Sequence, residues 1–378
     1  MKHRNLLQVS FWLLLLMIVA RCGTNEKVES VEENDDQETV LRLPPSSSNP
    51  RNSEGSFLQL KDGKLLYVYT HFTSGYGDGA HAYLAARVSM DAGKTWAVDD
   101  LVFLPNDEAK QNIMAPGLLR LQNGNIALFY LRKNSHTDCK PMLRISTDEA
   151  NTWSEPVPCI PDRAGYFVLN HDRPIQLENG RLLISVKGPN PNSPKGGIWC
   201  YYSDDNGKTW RSSKEAPNPD QVTIQEPGIV ELKDGSILMF IRTDEGVQYI
   251  SHSMDKGETW GAISPSTIKS PLSPASIKRI PSTGDLLMVW NNNSGEDPDI
   301  AGKRTPLNVA ISKDEGVSWQ HIQTIEDHPR GWYCYTAIHF TDDHVLLAYC
   351  AGIMPEEVGL SVTHVTRLHL DWVYENGH

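Results

Sequence analysis

An eight-residue motif written five times constrains this chain more than any other feature. It reads Ser89-Met90-Asp91-Ala92-Gly93-Lys94-Thr95-Trp96 and returns at 146–153 (STDEANTW), 203–210 (SDDNGKTW), 253–260 (SMDKGETW) and 312–319 (SKDEGVSW). Its tryptophans step by 57, 57, 50 and 59 residues. A period of that size marks a repeat architecture, in which each unit is one supersecondary element that cannot bury its apolar face alone. The motif suits a tight turn. The Asp carboxylate accepts backbone N–H groups, the Gly takes a left-handed backbone, and the Trp packs between strands. Calcium ligation by these aspartates is the competing reading, and the turn's own claim on each carboxylate argues against it.

A second repeat interleaves with the first: an apolar run, a polar turn, then another apolar run. Its copies are Phe57–Tyr69, Leu118–Tyr130, Pro174–Val186, Gly228–Phe240, Ser276–Trp290 and Ala337–Tyr349, with Asp-Gly or Asn-Gly at the turn of the first four. Such turns between apolar runs signal β-hairpins. Six units, each long enough for four short strands, predict an all-β chain folded as a six-bladed β-propeller over residues 51–378. A hydrophobic fraction of 39% supplies a core, and a net charge of −12 argues against a nucleic-acid partner, which calls for a basic footprint.

The first 50 residues read differently. Lys2 and Arg4 precede an apolar run from Phe11 to Ala20, which is short for a membrane span and fits a signal peptide over 1–22. The stretch Ile18-Val19-Ala20-Arg21-Cys22 resembles the lipobox of bacterial lipoproteins, with Arg21 where a small residue is usual, and so predicts lipidation at Cys22. The chain is therefore expected to be secreted, or held at the cell surface or in the periplasm as a lipoprotein. An uncleaved anchor is the alternative. Losing Lys2, Arg4 and Arg21 would take the charge from −12 to about −15. Residues 23–50 are acidic and end in Pro44-Pro45-Ser46-Ser47-Ser48, as a tether would, although Val40–Leu43 could form a strand. The remaining cysteines, Cys139, Cys159, Cys200, Cys334 and Cys350, lack metal-ligand spacing and read as buried apolar residues.

The octapeptide resembles the Asp-box of sialidases and related propellers, and the likeness extends over about residues 51–378. The resemblance implies a site at the centre of the ring. Arg51, Arg242 and Arg304 look like the three arginines that grip the sugar carboxylate. Glu226, sixteen residues before Arg242, matches the glutamate paired with a tyrosine nucleophile, and Tyr335, ahead of the sixth hairpin, matches that tyrosine. Asp78, in the Gly-rich loop Tyr76-Gly77-Asp78-Gly79, stands where the acid/base aspartate belongs. The residue types suit the chemistry. Guanidinium forks bind carboxylates bidentately, a phenol needs a base to become a nucleophile, and sialidases depart from the two-carboxylate scheme by using tyrosine. The mechanism so implied uses no cofactor and no metal, and its partner is an acidic glycan.

The sequence also departs from the family. Arg51-Asn52-Ser53-Glu54 replaces the usual Arg-Ile-Pro and brings an anion next to a carboxylate clamp. Asn170-His171-Asp172-Arg173 replaces a Gly-rich approach, so His171 and Arg173 become candidates for substrate binding, with an Asp172–Arg173 structural pair as the plainer reading. His81 could reach the site, and Trp199 and Tyr201 could wall the sugar or pack between blades. Two other functions stay open. One is a lyase or dehydratase that removes a uronate proton with Tyr335 or His171, and the other is a binding propeller without catalysis.

Overall fold

The computed structural model describes residues 36–375, so the expected signal peptide, Cys22 and residues 23–35 of the expected tether lie outside the described residues. Among the described residues the regular structure is β apart from one short helix, Leu370–Tyr374. The chain has a propeller-like fold of antiparallel sheets arranged in sequence order.

Four sheets of four strands stand alone. They begin at Ile175–Gln176, at Ile224–Glu231, at Ser276–Arg279 and, for the last, at Gly331–Phe340. The first two repeats, expected as separate blades, instead share one eight-stranded sheet. One half starts at Arg51–Gln59 and the other at Asn112–Arg120, and a single parallel pair, Ala82 with Asn112, merges them. The Asn112 side chain reinforces that seam by donating to the carbonyls of Asp78 and Ala80 at 2.8 and 2.7 Å.

Apolar clusters glue each sheet to the next. Leu58 and Val68 pack with Leu118 and Leu128 across the two halves of the large sheet. Phe129 and Leu143 meet Ile184 and Tyr201, and Leu183 and Ile198 meet Ile229 and Met239. The ring closes where Phe57 and Tyr67 of the first repeat pack against Ala337, Leu346 and Val365 of the last. The segment expected to be a tether joins this closure. Gln37–Leu43 is the outer strand of the last sheet, paired antiparallel with Thr363–His369.

The repeated octapeptides form the expected turns. In the first, Ser89 Oγ donates to Asp91 Oδ1 and accepts from Gly93 N, while Thr95 donates to both Asp91 oxygens, from N at 2.9 Å and Oγ1 at 2.6 Å. The bonds recur at Asp148, Asp205, Asp255 and Asp314, so every one of these carboxylates is engaged within its turn. The motif glycines also seat the sheets. A Cβ on Gly207 (φ +87°) would lie 2.1 Å from Leu143 of the preceding repeat. These turns follow the third strand of a repeat. They therefore lie on the face opposite the starts of the inner strands, where the charged groups gather.

Candidate active site

The inner strands begin with a recurring kink. Register shifts fall between Ser53 and Gly55, between Gln225 and Gly228, and between Cys334 and Ala337. At these bulges Glu54, Glu226 and Tyr335 adopt φ of 52°, 44° and 58°. A bulge re-aims a side chain, and a left-handed backbone on a non-glycine residue is strain that surrounding structure must hold. Three repeats use the same device on residues with chemical groups, while the equivalent kink of the second repeat carries Ala115 (φ 54°).

Tyr335 and Glu226 meet at the centre. The Tyr335 hydroxyl donates to Glu226 Oε1 at 2.8 Å, and Arg242 Nη1 donates to Glu226 Oε2 at 2.6 Å while standing 3.5 Å from the Tyr335 oxygen. Arg304 lies over the rings of Trp332 and Tyr335, 4.8 and 5.4 Å from their centroids. Burial pushes the Glu226 carboxyl up, but Arg242 and Arg304 outweigh it and hold the group below its usual range. Burial, and then Glu226, drive the Tyr335 phenol well above its ordinary value despite both arginines, so the shared proton rests on the tyrosine.

A second group sits on the first repeat. The buried Arg51 donates from Nη1 to Asp78 Oδ1 at 2.7 Å and to the Tyr76 carbonyl at 3.0 Å, from Nε to Ser53 Oγ at 2.8 Å, and from Nη2 to both Glu54 oxygens at 3.3 Å. Asp78 is 57% exposed while Arg51 is 1% exposed, so the aspartate forms the open lip of a buried cation. Burial raises the Asp78 carboxyl, and Arg51 with Lys133 more than reverses this. The Lys133 ammonium lies 5.0 Å from the centroid of the Tyr166 ring. Glu54 feels the charges of both Asp78 and Glu226, which ties the two groups into one electrostatic field.

His171 and Arg173 complete the floor. His171 packs edge-on against Tyr335 with ring centroids 5.9 Å apart. Its Nδ1 bonds Asn170 Oδ1 at 2.8 Å, and since that oxygen can only accept, Nδ1 carries the hydrogen and Nε2 keeps a bare lone pair. Burial lowers His171 to about 4, so it is neutral at physiological pH. Arg173 lies 5.0 Å from the Phe240 ring centroid and donates to the Ala275 carbonyl. Burial lowers it to about 10, which leaves it charged.

The Asp172–Arg173 pair considered from the sequence does not form. Asp172 instead accepts from Ser56 Oγ and from the Ile338 backbone N–H, each at 3.0 Å, and meets Lys278 Nζ at 2.7 Å. One carboxylate thereby ties the first, fifth and last repeats to the third. Trp199 lies under the Arg163 guanidinium and Tyr201 bonds Asp162, so both serve packing in the third sheet. His81 is exposed and bonds Thr73. The five cysteines are buried thiols as expected, with Cys334 and Cys350 directly opposite each other on neighbouring strands. Asp343, His344 and His369 bring metal-ligand types together at the far end of those strands. There Asp343 Oδ1 and Arg367 Nη2 both lie against His344 Nδ1, so the group is a polar cluster away from Tyr335.

The arrangement leaves donors over. Among the described residues, Arg173 Nε, Arg242 Nε and Arg304 Nη1 are buried without an acceptor. Unpaired buried donors are costly, and three guanidinium nitrogens of this kind around one tyrosine make a receptor for an anion.

Comparison with known proteins identifies the family. A family model described as "BNR repeat-like domain" matches residues 98–347. A sialidase of Clostridium perfringens is 26% identical over 236 residues, covering 54% of this chain and 59% of that protein. An anhydrosialidase of Macrobdella decora is 25% identical over 248 residues, covering 60% of this chain and 31% of that protein. The chain thus spans between about three tenths and three fifths of the length of these relatives. Among solved structures, the Hadza microbial sialidase Hz136 superposes with a TM-score of 0.71 at 18% identity, over 89% of this chain and 68% of that one. A leech intramolecular trans-sialidase complexed with 2,7-anhydro-Neu5Ac gives 0.71 at 16% identity, over 89% and 70%. Likeness at that identity speaks for the fold alone.

Proposed function

The chain belongs to the BNR repeat-like domain family of the sialidase superfamily, and from that premise we propose that it is a glycosidase releasing a terminal acidic sugar, a sialic acid, from a glycan. The observation that carries the reading is the Tyr335–Glu226–Arg242 cluster with its surplus guanidinium donors. Counting the eight-stranded sheet as two blades joined by one residue pair gives six repeats around the site. The N-terminal signal and Cys22 fit an enzyme delivered outside the cytoplasm and held by a lipid.

In this reading Arg242, Arg304 and Arg51 bind the sugar carboxylate, with Arg173 behind them. The Tyr335 oxygen attacks the anomeric carbon as Glu226 takes the phenolic proton, and the bond to the departing glycan breaks as Asp78 gives that oxygen a proton. The arginines around Tyr335 favour its anionic form, which is what the attacking oxygen approaches. Asp78 stays on Arg51 Nη1 at the open lip of the site, where it can exchange a proton with solvent and pass it to the departing oxygen. In the second half Asp78 takes a proton from water, water attacks the same carbon, and Tyr335 leaves with the proton stored on Glu226.

One observation favours a second reading. The bare His171 Nε2 beside Tyr335 is a base without a partner, as proton abstraction from a uronate would require. The Tyr335–Glu226 bond supports hydrolysis, because elimination with His171 as the base has no use for a carboxylate that relieves the phenol of its proton. Turnover of sialyl-lactose tests the choice. Free sialic acid is the expected product, and an unsaturated uronate from a uronate-ended oligosaccharide contradicts it.

A further inference from the structure

Arg51 differs from its companions in having nothing left to give. A guanidinium has five N–H groups. The single Nε hydrogen goes to Ser53, the Nη1 pair to Asp78 and Tyr76, and the Nη2 pair to Glu54. Arg173, Arg242 and Arg304 each keep a buried nitrogen free. A ligand carboxylate can reach Arg51 only by replacing a group already bound to it. The Nη2 bonds to Glu54, at 3.3 Å, are the longest of the set and the easiest to give up.

Glu54 is placed to be displaced. It is buried, and its carboxyl also receives the Ser53 hydroxyl at 3.1 Å. From its own strand Arg51 and Ser53 face it. The loop of the same repeat brings Asp78, the neighbouring strand the Tyr67 phenol, the fourth repeat Glu226, and the last repeat Cys350. Tyr166 approaches from the third repeat. Arg51 is the cation bonded to it, against two carboxylates, and Lys133 reaches the same company through Asp78 and the Tyr166 ring. Removing Arg51 leaves an ionised Glu54 buried among anions, whereas a protonated Glu54 tolerates the loss.

We propose that Glu54 competes with the ligand carboxylate for Arg51, so that an acidic sugar is held by all three arginines only when Glu54 carries a proton. Glu54 is then a specificity and positioning residue that couples capture of the anion to uptake of one proton. The inference rests on the acidic-sugar reading given above. Burial, offset in part by Arg51, raises the Glu54 carboxyl from its ordinary 4.5 to about 7, which brings the competition into the physiological range. His171, at about 4, and the depressed Asp78 titrate below that window.

The experiment is calorimetric titration of the purified protein with N-acetylneuraminic acid and, separately, glucuronic acid, at pH 6 and pH 8, in two buffers of different ionisation enthalpy. For a site that must be protonated near 7, linkage gives binding about tenfold weaker at pH 8, with close to one proton taken up there. Glu54→Gln keeps the shape, carries no charge, and is expected to bind equally at both pH values without proton uptake. The proton count on the wild type stands even if that variant does not fold. Wild-type affinity that is flat between the two pH values without proton uptake overturns the proposal, as does a Glu54→Gln protein with the wild-type slope. Failure of both sugars to bind either protein at either pH removes the acidic-sugar reading and the proposal with it.

Discussion

Asp172 offers the sharpest structural test, because one carboxylate holds the two inner strands that carry Glu54 and Tyr335. Its Oδ1 receives Ser56, two residues from Glu54, and its Oδ2 receives the N–H of Ile338, three residues from Tyr335, together with Lys278. In Asp172→Ala the buried Ile338 N–H loses its acceptor, at about 1–3 kcal/mol. Ser56 Oγ loses a charged acceptor but still accepts from Leu118 N at 3.1 Å, adding about 1 kcal/mol. Lys278 adds little, since it is partly exposed and keeps the Ile338 carbonyl at 2.9 Å. The residue also sits at φ 53°, where Ala is less at ease than Asp, worth about another 1 kcal/mol. The expected loss is about 3–5 kcal/mol for Ala. Asp172→Asn keeps one acceptor and the backbone preference, and should cost about 1–2 kcal/mol. Urea unfolding at pH 7 reads both. If both variants unfold within 0.5 kcal/mol of the wild type, a size typical of neutral surface changes, the carboxylate does not join the repeats.

Two further substitutions probe the ring and the clamp. Gly207→Ala places a methyl 2.1 Å from Leu143 on a left-handed backbone, and should lower stability by about 2–4 kcal/mol by urea unfolding; a neutral result would mean the turn does not seat against the preceding repeat. Arg242→Lys keeps the charge but loses the guanidinium whose Nη1 reaches both Glu226 and Tyr335, so turnover of a sialoside should fall by about tenfold or more, and unchanged kcat and KM would take Arg242 out of the site.

Local signals were legible in the sequence, and pairings between distant segments were not. The octapeptide turns and the hairpins are contained within short windows, so their residues announce them. The strand Gln37–Leu43 pairs with residues more than 300 positions away, and within its own acidic neighbourhood it resembles a tether. The merging of the first two repeats hangs on one pair, Ala82 with Asn112, which no periodicity reveals. The same holds in the site. Tyr335, Glu226 and Arg242 were found through a resemblance and lie in hydrogen-bonding reach, because bulges at equivalent points turn Tyr335 and Glu226 inward. Asp172 has an adjacent arginine in sequence but takes its partners from three other repeats, so chain adjacency pointed to the wrong pair. Glu54 stood out as a departure from a pattern, and its grip on Arg51 became visible only with the five donors accounted for.

The account stands most directly on Tyr335 as the nucleophile of an acidic-sugar glycosidase. The deciding measurement is the product mass from sialyl-lactose, for the wild type and for Tyr335→Phe. The substitution removes the oxygen bonded to Glu226 at 2.8 Å and keeps the ring against His171 and Arg304. The wild type should release free sialic acid and lactose. The variant should bind the sugar while losing turnover by at least about a thousandfold, in the range seen when a nucleophile is removed. Release of sialic acid by Tyr335→Phe at the wild-type rate would contradict the central claim.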